Sequence, residues 1–271
     1  MRRKRHSVTI LERIKEFVTG KPSPVKARYR NVGYLGIVAQ HGRFLKHQVE
    51  IETQGFAIIP DVVSEASISV LLERLSGAHL RRSRAGIRHA LQHPAVMEIA
   101  QDSRLLDIAR GTLGSGAIPF RATLFDKSPL SNWLVVWHQD TALPLRKRIE
   151  AEGWGPWSAK DGVIYAHAPA SALNQVLALR VHLDDSTVEN GPLRVLPATH
   201  KLGVLSDEAI HDLAARLKPV DCVVGKRGIL AMRPLIAHAS SKSLSEKARR
   251  VLHIEYASSA VIEDRFELAV A

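Results

Sequence analysis

Trp133-Leu134-Val135-Val136-Trp137-His138-Gln139-Asp140 is an apolar run that closes on a histidine and a carboxylate two positions apart. Side chains two apart on a strand point the same way, so a strand here delivers His138 and Asp140 to one face. H-x-D alone is a weak pattern, and a surface histidine beside a loop aspartate is its plain alternative. The apolar run before it favours the first reading, because His138 then sits where the strand leaves a barrel.

The surroundings are β in character. From Gly116 onward, short strand-like runs separated by turn residues occupy 118–126, 134–140, 176–184, 193–196, 220–224, 228–232, 235–240 and 250–256. Such spacing, with few helices between, indicates a mainly β sandwich or jelly roll rather than a parallel α/β sheet. Upstream, Gly55-Phe56-Ala57-Ile58-Ile59-Pro60 reads as the first strand. Ser64 is placed to cap a helix reaching about Leu75, and Asp102 to cap one ending at Gly114. A further helix is expected around 93–100, and 79–89 reads as a basic loop with Arg81, Arg82, Arg84 and Arg88. These helices should cover one sheet from outside.

The 271 residues are 45% hydrophobic, enough for a sizeable core. Cys222 is the one cysteine, which excludes a disulfide framework and a cysteine-rich zinc site and points to a cytoplasmic compartment. Of the net charge of +11, residues 1–50 carry +9, so a basic N-terminal extension (1–50) is expected ahead of a nearly neutral β domain (51–271). Within the extension, Ile10, Leu11, Ile14, Phe17 and Val18 have helical spacing, and Gly20-Lys21-Pro22-Ser23-Pro24 reads as a linker. The arm is either a solvated tail or a contact for nucleic acid or an anionic surface. No apolar run has the length of an export core or a membrane span.

A second histidine follows another apolar run, in Arg233-Pro234-Leu235-Ile236-Ala237-His238. Two histidines and one carboxylate on a β scaffold make the facial triad that holds non-haem Fe(II) and leaves coordination positions open. Among the other histidines, His41, His47, His79, His89 and His93 read as structural or exposed; position alone leaves His167, His182, His200, His211 and His253 open.

An oxygen-activating iron site that uses 2-oxoglutarate also needs a cation for the distal carboxylate, and arginine binds carboxylates in a bidentate fork. Arg249 and Arg250 compete. Leu252, Ile254 and Tyr256 share a face with Arg250 and should pack on the helices, so parity favours Arg249 as the inward residue. On 176–184, Leu177, Leu179, Val181 and Leu183 form the packed face and leave Arg180 and His182 inside. Arg180 has two readings of equal weight: a contact to co-substrate, or an internal ion pair with Asp184 or Glu255. The insert 143–173 carries Trp154, Trp157 and Tyr165 and reads as a lid over the barrel mouth, or as surface packing of aromatics.

These residues together resemble the phytanoyl-CoA dioxygenase family over about 55–256. The anchors are Trp137-His138-Gln139-Asp140, then Asn190-Gly191-Pro192-Leu193-Arg194-Val195-Leu196-Pro197-Ala198-Thr199-His200, and His238-Ala239-Ser240 with Arg249 eleven positions after the histidine. The resemblance implies a double-stranded β-helix (a jelly-roll, cupin-like barrel) and an Fe(II)- and 2-oxoglutarate-dependent dioxygenase. Such an enzyme uses O2 to hydroxylate a small organic substrate, releasing succinate and CO2. It implies His138, Asp140 and His238 as iron ligands and Arg249 with Ser240 as the 2-oxoglutarate grip. Lys127, in Phe125-Asp126-Lys127-Ser128-Pro129, and Arg180 would reach co-substrate or substrate. Trp137, Gln139, Trp154 and Trp157 are the substrate candidates, and His200 is structural. Many members have glycine where Ala198 sits, which puts the local turn geometry in doubt. Related halogenases replace the carboxylate with a small residue, so Asp140 favours hydroxylation. Two other classes remain as alternatives: a cupin-like metal isomerase or hydrolase, which gives no account of Arg249, and a non-catalytic binding protein recruited through the basic arm.

Overall fold

Alternation along the strands divides this chain into a helix-covered outer face and a polar inner one. The computed structural model describes residues 38–76, 82–83, 86–128 and 131–271. The helix expected at 8–19 and the linker after it lie outside the described residues.

The described chain opens with α1 (Val38–Gln54), β1 (Phe56–Ile59), α2 (Glu65–Ser76), β2 (Arg82–Ser83), β3 (Gly86–Ile87), α3 (Pro94–Ala100) and α4 (Ser103–Leu113). Then come β4 (Ile118–Lys127), β5 (Val135–His138), β6 (Ala142–Leu145), β7 (Trp157–Lys160), β8 (Val163–His167), α5 (Ala170–Leu173), β9 (Val176–His182) and β10 (Leu193–Val195). The remainder is α6 (Asp207–Arg216), β11 (Val220–Cys222), β12 (Ile229–Met232), β13 (His238–Ser240), β14 (Arg249–Ala257), β15 (Val261–Ile262) and β16 (Phe266–Glu267).

Two antiparallel sheets form the barrel: a larger one in the order β1-β12-β9-β14-β4-β3-β2 and a smaller one in the order β11-β10-β13-β5. The helices expected from caps form where expected. Ser64 Oγ accepts from Ser67 N at 3.1 Å and Asp102 Oδ1 from Arg104 N at 2.9 Å, each satisfying an amide that the first helical turn leaves unpaired.

The outer face of the larger sheet packs Leu177, Leu179, Val181, Leu252, Ile254 and Tyr256 against Ile51 of α1, Ile68 and Leu71 of α2 and Leu105 of α4. Each such side chain contributes about 1.5–3 kcal/mol by leaving water. Tyr256 also donates its hydroxyl to the Ala100 carbonyl at 2.8 Å. Between the sheets, Leu193, Val195, Leu230, Met232 and Ile236 fill one end of the barrel. The other end is left to polar side chains.

The boundary expected at residue 50 lies within α1, whose Ile51 is fully buried. One expectation is corrected. The basic loop at 79–89 contains β3, which pairs Gly86 with Phe125 and Ile87 with Leu124. Gly86 permits this pairing, since a Cβ there would lie 1.9 Å from the Leu124 carbonyl oxygen. The insert 143–173 carries a third antiparallel sheet, β6-β8-β7. Its β7–β8 hairpin turns on Asp161-Gly162, both with positive φ, the geometry that suits the twist of a two-residue turn.

Ala198 explains a departure noted in the sequence. It sits at φ 63°, in the left-handed region that favours glycine, while its amide donates to the Gln54 carbonyl at 2.7 Å. A non-glycine residue there costs about 1–2 kcal/mol, partly offset by the entropy that glycine loses. Ala198→Gly is therefore expected to stabilise the protein by about 1 kcal/mol, read as a raised urea midpoint at unchanged slope. A lowered midpoint would contradict this account.

Candidate active site

Strands β5 and β13 lie antiparallel with His138 opposite His238, so pairing alone brings the two imidazoles together, ring centroids 4.2 Å apart. Asp140 lies just past β5, held by a hydrogen bond from its amide to the Pro234 carbonyl at 3.0 Å. Its carboxylate oxygens come within 3.7 Å of His138 Nε2 and 3.5 Å of His238 Nε2. Each histidine uses Nδ1 on the carbonyl two residues earlier, Val136 at 2.8 Å and Ile236 at 2.9 Å. That arrangement fixes both rings with Nε2 facing Asp140, as a metal ligand requires. One ligand atom from each of the three residues lies within 4.8 Å of the others.

Burial alone would raise the Asp140 carboxyl, but His238 and then His138 overrule it and hold it well below the usual range. Burial lowers His238 to about 4, so its imidazole is neutral at ordinary pH. Burial also lowers His138, but the hydrogen bond and charge of Asp140 outweigh it and raise that imidazole, so a cation entering the site competes with a proton there.

These groups open into a cavity of about 270 Å³. Parity on β14 holds: Arg249 is 4% exposed and lines the cavity, whereas Arg250 turns outward to a two-pronged pair with Asp184, 2.8 Å at each prong. Arg249 Nε donates to the Asn190 carbonyl at 3.2 Å. Ser240 Oγ donates to the Gly191 carbonyl and accepts from Lys127 Nζ, both at 2.9 Å. A Cβ on Gly191 would meet the Ser241 carbonyl at 2.4 Å, so this turn needs its glycine to close on Ser240.

Lys127, also bonded to the Ser241 carbonyl at 2.6 Å, lies just behind the cavity wall. Burial and the charges of Arg249 and Arg180 lower its ammonium to about 7. The ion pair considered for Arg180 does not form, because Asp184 is taken by Arg250 and Glu255 by Arg121. Arg180 instead meets His253 Nδ1 at 3.0 Å and leaves its buried Nε without a partner.

The four substrate candidates do not line the cavity. Trp137 and Gln139 alternate out of phase with His138. Trp137 packs toward α6 under Arg194. Gln139 donates to the carbonyls of Gly203 and Leu235 at 2.9 and 2.7 Å and accepts from Leu205 N at 2.8 Å. Trp154 stacks on Phe266 at 3.8 Å, and Trp157 packs beside it. Their aromatic area is spent fastening the third sheet to the barrel. From that insert, Tyr165 and Lys160 reach the cavity instead.

Sequence reasoning missed Arg121, Thr123 and Phe125, which line one wall. They share a face of β4 opposite the buried Ala122 and Leu124, so the alternation applied to β14 also finds them. His89, set aside as structural or exposed, is a wall residue whose Nε2 meets Tyr165 Oη at 2.9 Å. Only the fold brings these two together.

The match to the phytanoyl-CoA dioxygenase (PhyH) description runs over residues 51–251. The chain belongs to that family. It is 28% identical to an L-proline trans-4-hydroxylase of Streptomyces griseoviridis, across 41% of this chain and 51% of that protein. It is also 28% identical to the ectoine dioxygenase of Sphingopyxis alaskensis, across 41% of this chain and 29% of that one. The chain thus spans about half or less of the curated relatives it matches. Among solved structures, EctD from S. alaskensis with 2-oxoglutarate and 5-hydroxyectoine superposes with a TM-score of 0.61 at 18% identity, covering 80% of this chain and 76% of that one. The epimerase SnoN from nogalamycin biosynthesis gives 0.61 at 17% identity, covering 82% and 85%. These likenesses establish the PhyH fold, a double-stranded β-helix. Among the described residues, no helix is long and apolar enough to cross a membrane.

Proposed function

We propose that the chain is an Fe(II)- and 2-oxoglutarate-dependent dioxygenase that hydroxylates a small organic substrate and releases succinate and CO2. The observation that carries this reading is the convergence of His138, Asp140 and His238 beside a cavity walled by two buried arginines. The donor chemistry fits a divalent first-row metal. An unpartnered buried Nε on Arg180 fits a cavity built to receive an anion, since leaving it unsatisfied costs about 1–3 kcal/mol.

In this reading His138, Asp140 and His238 would hold the iron, and Arg249 and Ser240 would grip the far carboxylate of 2-oxoglutarate, with Lys127 bracing Ser240 from behind and Arg180 offering its free Nε to the same anion. Bound iron, with O2 and 2-oxoglutarate, supplies the oxidising power for C–H hydroxylation. The chain supplies the rest. Asp140 enters already ionised and His238 already neutral. Arg249 holds one orientation of the co-substrate because its Nε is tied to Asn190. Phe125, Val135 and Leu193 give the cavity apolar wall against bulk water. A metal isomerase or hydrolase on the same ligands would leave Arg249 and Arg180 without a role. The hydroxylase and dioxygenase activities named for the relatives support the same reaction class.

The test is an anaerobic titration of the full chain with Fe(II) and 2-oxoglutarate. A visible charge-transfer band that needs both components is expected, followed by succinate formation when oxygen is admitted. Iron binding with no 2-oxoglutarate-dependent band would refute the proposal.

A further inference from the structure

Among the described residues, five cationic side chains line the cavity, Arg88, Arg121, Lys160, Arg180 and Arg249, against one carboxylate, Asp140. Glu255, pressed onto Arg121, neutralises one of them from behind. If the closed end belongs to 2-oxoglutarate and the metal, Arg180 and Arg249 are accounted for. Arg88 and Lys160 are not.

Both are exposed, which places them at the open end of the cavity. Lys160 ends β7 beside the Asp161-Gly162 turn, and its Nζ lies 5.0 Å from the Tyr165 ring centroid. Arg121 approaches the same ring at 5.9 Å, and the Tyr165 hydroxyl is joined to His89. Apart from burial, the charges acting on Lys160 are the like charges of Arg88 and Arg121, which lower it further. Asp161 acts on this rim through His89 and Tyr165, and among the described residues Arg88, Arg121 and Lys160 outnumber it. Like charges in excess on one rim repel one another, and an arriving anion relieves them. Charge lining a cleft of low dielectric also steers a ligand of opposite sign.

We infer that the substrate is an organic acid whose anionic group seats on Lys160 and Arg88 at the cavity mouth, with Tyr165 beneath it, while its carbon chain runs inward toward His138 and His238. This inference rests on the proposed dioxygenase reading and narrows it to a substrate class. Neutral molecules of the same shape would leave the rim charges uncompensated, so discrimination comes from the acid group rather than from the chain.

The test uses full-length protein loaded with Mn(II) in place of Fe(II) and saturated with 2-oxoglutarate, so that no turnover occurs. Proton relaxation of hexanoate and of hexanamide is then measured, because a molecule seated near the metal relaxes faster. At least a fivefold larger metal-dependent enhancement is expected for hexanoate than for hexanamide. That preference should vanish in Lys160→Ala/Arg88→Ala, whose exposed positions leave the fold and 2-oxoglutarate affinity intact. Equal enhancement of acid and amide overturns the inference, as does an undiminished acid preference in the double variant. Failure of the underlying reading looks different: Mn(II) binding would then be indifferent to 2-oxoglutarate in the unaltered protein.

Discussion

Asp140→Ala and His238→Ala are each expected to abolish Fe(II) binding and 2-oxoglutarate turnover while leaving the barrel folded. His238 sits 3% exposed on β13, opposite His138, and Asp140 spans the two rings. Removing one of three ligands leaves a two-ligand site in a cavity whose other lining charges are positive, where a divalent cation has little reason to stay. Neither residue belongs to the apolar clusters that hold sheets and helices together. Circular dichroism should therefore match the unaltered protein, and calorimetry should show no metal uptake. Succinate production persisting in both variants would remove these residues from the metal site.

The second large effect separates neighbours. Arg249→Ala should raise the 2-oxoglutarate requirement a hundredfold or more, because a buried charge-assisted contact to a carboxylate contributes roughly 3 kcal/mol. Arg250→Ala should leave the requirement unchanged. Its guanidinium faces Asp184 on the outer surface, where a partly exposed pair contributes at most about 1 kcal/mol to stability. Co-substrate dependence of turnover in the two variants, measured side by side, decides between them. A large effect at Arg250 with none at Arg249 would assign the grip to the wrong face of β14.

Much of this was legible along the chain because strands write their orientation every second residue. Leu252, Ile254 and Tyr256 announce the helix-covered face of β14, and Arg249 follows by parity. Caps at Ser64 and Asp102 fix helix starts through short-range hydrogen bonds, and so they too are local. What stayed hidden depends on distant pairing. The sequence near Trp154 and Trp157 gives them no anchor, because nothing there reveals Phe266, more than a hundred residues later. His89 acquires its place only through Tyr165, on another sheet. Gln139 looked like a substrate contact because its three backbone partners come from two segments remote in sequence.

Those three bonds have a consequence for how a metal would be received. Gln139 stands between His138 and Asp140 and grips the Leu235 carbonyl, three residues before His238. It works as a strut between the two segments that bring the ligands, while its other bonds tie the strut to the 203–205 loop. If these residues take the metal, as proposed, their three donor atoms are already gathered within 4.8 Å before any ion arrives, which leaves less ordering entropy to lose on coordination. The affinity of such a site would then be set partly by an amide that never touches the metal.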